Sequence, residues 1–278
     1  MAYSTLNLDL REHVAHVQLS RPGAFNSMNR AFWGEIRDCF RALDQDPEVR
    51  VAVISSTGKH FTAGLDLKEF AGVGSAQGGG GDLGRQREAF RRMVLGMQES
   101  FSALARARFP VLAAVQGGCI GGGVDLVTAC DMRYASADAI FCVKEIAIGI
   151  TADVGTLQRL PKLIPDGLAR ELCFTGRNLG AEEAKACGLV NAVYPDQAAM
   201  LDGVMAIART IAGHSPLAMT GTKEMLNYSR DHAVADGLNY VATWNAAMLM
   251  GADLPEAMQA SREKRPAAYA DLQKPAAV

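Results

Sequence analysis

The chain has 278 residues, 49% hydrophobic and 21% charged, with a formal net charge of −2. This length suits one large domain or a domain with an appendage, and the near-neutral balance without a long basic run argues against nucleic acid as the main partner. No run approaches the roughly eighteen uninterrupted apolar residues of a membrane span, and neither end reads as a secretory, Arg-rich or peroxisomal address, so a cytoplasmic location is the simplest expectation.

Residues 5–10 and 14–19 alternate apolar and polar side chains and read as a hairpin joined by Arg11-Glu12-His13. The alternation puts His13 and His16 on opposite faces, and the histidines show no metal-ligand spacing. Residues 29–43 carry helical periodicity, with Phe32, Trp33, Ile36, Phe40 and Leu43 near one face. A buried strand follows at 49–55. The glycine-rich stretch 72–84, unbroken at 78–81, reads as a flexible surface loop or as a lid ordering over a ligand. A long helix over about 85–105 leads to Pro110, a strand at Val111–Val115, a glycine cluster, and a helix over 122–130. Short strands are expected at 131–134 and 139–143. Beyond Val154 the pattern is mostly helical, apart from an apolar run at 189–194. The result is an α/β core over 1–195 and a helical region over 196–278. Six cysteines, none in C-x-x-C spacing, read as reduced, buried small hydrophobes.

Five features carry chemistry. The cluster Gly117-Gly118-Cys119-Ile120-Gly121-Gly122-Gly123 fits neither a dinucleotide nor a phosphate-loop register. It serves either tight helix–strand packing or an oxyanion hole, with the Gly122 N–H at a helix start. The segment Phe61-Thr62-Ala63-Gly64-Leu65-Asp66-Leu67-Lys68 reads as a turn and cap before a short helix, or as the source of a second amide donor from Leu65. Asp125 has only apolar or small neighbours, so it either bonds nearby backbone N–H groups or moves protons. Glu145 is similar, although Lys144 beside it allows a solvated pair, and Asp153 suits either a helix N-cap or proton chemistry.

Together, Ala63-Gly64-x-Asp66 and Gly-Gly-Cys-Ile-Gly-Gly-Gly-Val-Asp resemble the crotonase (enoyl-CoA hydratase/isomerase) superfamily. The likeness extends from Arg21-Pro22 and Asn26-Ser27-Met28-Asn29 to Leu157-Gln158-Arg159-Leu160-Pro161 and the helical tail. It implies a spiral of ββα units, with a C-terminal helical region that builds trimers, often paired into hexamers. It also implies an acyl-CoA thioester substrate, held by the Leu65 and Gly122 N–H groups, with Ala63, Asp66 and Lys68 bordering coenzyme A. No metal is expected, nor any cofactor beyond the coenzyme A of the substrate.

Hydratases of the family carry Glu, Glu and Gly where this chain has Asp125, Glu145 and Asp153. That set, with Ala-Asp-Val-Gly-Thr-Leu-Gln-Arg-Leu-Pro-Lys, Tyr228-Ser-Arg-Asp-His232 and Ala242-Thr-Trp-Asn245, resembles the delta(3,5)-delta(2,4)-dienoyl-CoA isomerases of fatty acid β-oxidation. The resemblance implies Glu145 as base at C2, Asp153 as acid at C6, and Asp125 in an orienting role. A 2-enoyl-CoA hydratase is the alternative; a non-catalytic acyl-CoA- or RNA-binding relative sits poorly with three retained acids.

Overall fold

The computed structural model describes residues 3–70 and 82–276, so most of the glycine-rich stretch at 72–84 lies outside the described residues. Strands β1 (Leu6–Arg11) and β2 (Val14–Leu19) pair antiparallel, with Leu6 opposite Leu19. Glu12 and His13 take positive φ (49° and 66°). His13 therefore lies in the turn, not on the strand as alternation predicts, and its Nδ1 meets the Glu48 carbonyl at 2.9 Å. Helix α1 (Arg30–Gln45) begins after Asn29, whose side chain accepts the Phe32 N–H, and buries the predicted stripe from Phe32 to Leu43.

Strand β3 (Val51–Ser56) is buried along its whole length. Helix α2 (Leu83–Arg106), capped by Asp82, precedes β4 (Val111–Val115). The glycine cluster then supplies a strand of its own, β5 (Gly118–Ile120), before α3 (Gly122–Thr128). The sequence predicts only a connection there, because three residues are too few for a periodicity to register. β6 (Met132–Ser136) and β7 (Ile140–Cys142) follow, then α4 (Thr156–Arg159), α5 (Asp166–Thr175), β8 (Leu179–Gly180), α6 (Ala181–Ala186) and β9 (Ala192–Tyr194). Four helices complete the described chain: α7 (Gln197–Ala212), α8 (Pro216–Asp231), α9 (Val234–Met248) and α10 (Asp253–Glu263).

The large sheet runs β1-β2-β3-β4-β6-β9, parallel at every pairing except the opening hairpin; β5, β7 and β8 form a smaller sheet. Parallel strands need cover on both faces, and the two-residue period of β3 shows how it is met. Ala52 and Ile54 join the main core with Phe32, Ile36 and Phe40 of α1, whereas Val51 and Val53 pack with Met200, Val204 and Ala208 of α7. Buried Lys223 ties α8 to this core by donating to the Asp131 carboxylate and the Phe109 carbonyl, each at 2.8 Å. No helix among the described residues is long and apolar enough to cross a membrane.

Candidate active site

Two isolated bridges bring the predicted donor segments together. Thr62 pairs with Cys119, through Thr62 N–H to the Gly118 carbonyl (2.9 Å) and Ile120 N–H to the Thr62 carbonyl (3.1 Å). Leu65 pairs with Met28: the Met28 N–H donates to the Gly64 carbonyl (2.8 Å) and the Asp66 N–H to the Met28 carbonyl (3.1 Å). In a parallel bridge these bonds flank the central residue, so the N–H of Leu65 itself turns to the opposite side. Gly122 is the first residue of α3, where helix geometry leaves an amide without an intrahelical acceptor. The segments touch: a Cβ on Gly64 would stand 2.6 Å from the Ile120 carbonyl oxygen and 3.5 Å from the Gly122 nitrogen. The tight contact explains why the sequence is small at these positions. Residues 67–69 form a turn, not the predicted short helix.

A cavity of about 110 Å³ opens beside these amides. Its walls include Leu65 and Gly122, Glu145 and Asp153, and the apolar side chains of Trp33 and Met97. Glu145 arrives from a 3-10 turn (Glu145–Ile148) directly after β7, and its Oε1 would lie 3.3 Å from a Cβ on Gly121. No ion pair joins it to Lys144; its neighbour is Asp125. Asp125 is fully buried on α3, behind the cavity wall, and its Oδ1 accepts the Thr156 N–H at 2.5 Å. The remaining carboxyl oxygens, Asp125 Oδ2 and Glu145 Oε2, are buried with no other partner among the described residues.

Two carboxyl groups meeting out of water share a proton. Burial, and then the charge of Asp125, push Glu145 up to about 7. Burial also raises Asp125, against donation from Thr156 and the charge of Arg159. Asp153 is raised by burial as well. It does not cap a helix: α4 starts three residues later with Gly155 at its cap. Instead its carbonyl accepts Gln98 Nε2 at 2.7 Å.

The structure thus brings Leu65, Gly122, Glu145 and Asp153 to one cavity, with Asp125 behind Glu145. Ala63 lines the same cavity. Asp66 and Lys68 are not among its lining residues; Asp66 accepts from Ser27 Oγ (3.1 Å) and Arg21 (3.4 Å), which anchors the loop. Gln98, Thr156 and Trp33 were not singled out as site residues by the sequence. Gln98 and Thr156 act through partners 55 and 31 residues away, a separation no local pattern reveals.

The family model for enoyl-CoA hydratase/isomerase matches residues 9–273. The chain is 49% identical over 266 residues to the mitochondrial delta(3,5)-delta(2,4)-dienoyl-CoA isomerase of Homo sapiens, covering 95% of this chain and 81% of that one. It is 44% identical over 274 residues to the peroxisomal delta(3,5)-delta(2,4)-dienoyl-CoA isomerase of Arabidopsis thaliana, covering 98% and 99%. The crystal structure of an enoyl-CoA hydratase from Bacillus anthracis superposes with a TM-score of 0.86 at 30% identity, over 96% of this chain and 99% of that one. The names of the two isomerases overturn the cytoplasmic expectation. Net charge and the lack of a spanning run limit partners and membrane insertion, and neither reports a compartment.

Proposed function

Because the chain belongs to the enoyl-CoA hydratase/isomerase family, we infer that its cavity takes the acyl part of a coenzyme A thioester and moves two double bonds along it. The chain is an acyl-CoA isomerase, with 3,5-dienoyl-CoA as substrate and 2,4-dienoyl-CoA as product. Fatty acid β-oxidation is the setting in which such a conversion is needed.

The roles are those the family resemblance implies, and one shared cavity supports them. The thioester oxygen sits against the Leu65 and Gly122 N–H groups. A C2 proton is too weakly acidic for a free carboxylate, and each amide aimed at the developing oxyanion supplies about 3–4 kcal/mol. Glu145 removes the C2 proton. The resulting negative charge spreads over oxygen, C2, C4 and C6, and Asp153 delivers a proton to C6. The C2–H bond breaks, a C6–H bond forms, and no water is consumed. Asp125 orients Glu145, and its charge raises the proton affinity of Glu145.

The observation that carries this reading is a single cavity lined by both amide donors, Glu145 and Asp153. It also disfavours the hydratase alternative. Two carboxylates must grip one water in that chemistry, but Asp125 does not line the cavity and Thr156 already occupies its Oδ1. The experiment is direct. A 3,5-dienoyl-CoA should gain the ultraviolet absorbance of a dienoyl thioester on mixing, at a rate far above that for loss of a 2-enoyl-CoA. Rapid turnover of the enoyl ester alone would end the assignment.

The helical tail also supports self-association into a trimer or a pair of trimers. Val234 is 78% exposed and Leu238 64% on α9, Met250 is 90% exposed just beyond it, and Leu254 and Met258 are exposed on α10. So many large apolar side chains on one region are costly in water unless covered. Light scattering should give three or six times the 29.6 kDa chain mass; a monomer at working concentration would refute it.

A further inference from the structure

Arg159 ends α4 with its guanidinium folded back under the loop that carries Asp153. Nη1 lies 3.4 Å from the Val154 carbonyl and Nη2 3.2 Å from Ser102 Oγ. A Cβ on Gly155 would fall 1.8 Å from Nη1, so the planar group rests on backbone that only glycine leaves open. One turn before Ser102 on α2, Gln98 holds the Asp153 carbonyl. Residues four apart share a helix face, so α2 holds the loop at Asp153 directly and at Val154 through Arg159.

A polar cavity behind the loop is bordered by Arg159, Lys162, Arg230 and Asp231. Lys162 and Arg230 both pair with Asp231, and nearby Arg106 pairs with Glu99. Among the described residues no carboxylate stands within ion-pair distance of Arg159. A half-buried, unneutralised guanidinium acts on buried groups through a low effective dielectric. The charged and titratable groups around Asp125 are Glu145, Asp153, Arg159, Cys119 and, from α5, Cys173; those around Arg159 are Asp125, Cys130, Arg106 and Arg230.

We propose that Arg159 is a positioning residue for the isomerisation: clamped by Val154, Gly155 and Ser102, it fixes the Asp153 loop and supplies the positive charge that keeps the Asp125–Glu145 pair one proton short. The sign of the electrostatics agrees. Arg159 draws Asp125 toward ionisation against the burial that opposes it, and Asp125 in turn favours the charged guanidinium. This rests on Glu145 being the base of the proposed reaction.

The test compares pH–rate profiles of the wild type with Arg159→Gln, Arg159→Lys, Ser102→Ala and, as a control, Lys162→Gln. Loss of a nearby cation raises a carboxyl group's proton affinity. Arg159→Gln should therefore move the acid limb of kcat/KM upward by about half to one pH unit and lower kcat about tenfold, with little change in KM. Arg159→Lys should restore the limb, Ser102→Ala should shift it less but in the same direction, and Lys162→Gln should leave it in place. In parallel, the carboxylic-acid infrared band of substrate-free Arg159→Gln at neutral pH should exceed that of the wild type. An unmoved limb in Arg159→Gln, or an equal shift in Arg159→Lys, overturns the proposal. Failure of the underlying reaction would appear separately, as an inactive wild type, while the infrared comparison still reads Arg159.

Discussion

Glu145→Gln is expected to lower kcat on a 3,5-dienoyl thioester by about three orders of magnitude, within the range for a lost general base. Asp125→Asn should cost less, because Asp125 lies behind the cavity wall and meets the substrate only through Glu145. The base must be ionised, so wild-type kcat/KM should rise with pH through an apparent value above the ordinary carboxylate range, near the value of about 7 that burial and Asp125 give Glu145. Stability should move the opposite way. A carboxyl group that binds its proton more tightly folded than unfolded favours the fold below the unfolded value of about 4.3, and that advantage is lost as pH rises through the folded one. Glu145→Gln removes this loss, so the variant should melt at or above the wild-type temperature at pH 8 and show no such gain at pH 4. Steady-state rates and thermal melts at both pH values check the two halves. A variant within tenfold of wild-type kcat would remove Glu145 as the base.

Asp153→Asn should separate the two proton transfers. Overall isomerisation should fall by about two to three orders of magnitude, since no acid remains at C6. Abstraction at C2 needs only Glu145 and the two amides, so in deuterated water the variant should still exchange the C2 hydrogens, faster than it forms product. Glu145→Gln should lose exchange and isomerisation together. The measurement is mass spectrometry of recovered substrate and product from one reaction. Parallel loss of exchange and isomerisation in Asp153→Asn would mean that Asp153 is not acting at the far end of the chain. The kcat/KM profile should also fall at high pH as Asp153 ionises, at a value that burial has raised.

The sequence makes legible what local pattern controls. The hairpin, the apolar stripe of α1, the buried strands and the late helices follow from periodicity. The two donor segments stand out because glycines concentrate where backbones must touch. Family resemblance, not spacing, separates the isomerase from the hydratase. What stays hidden depends on distant partners. Asp153 resembles an N-cap until α4 begins three residues later, and Asp66 is held by Ser27 and Arg21, 39 and 45 residues away. The pairing of Asp125 with Glu145 joins a helix start to a turn 20 residues on, across the small sheet. His13 shows the limit of alternation itself, since positive φ takes it out of the strand.

Leu65 owes its orientation to Met28, the residue immediately before the Asn29 cap of α1. The aim of the main-chain donor proposed for the thioester oxygen is therefore set by the docking of the first helix rather than by any cleft-lining side chain. Substitutions around that helix entry can blunt turnover while every cleft-lining side chain stays intact, and inheritance of catalytic competence in this fold extends to positions that look purely architectural.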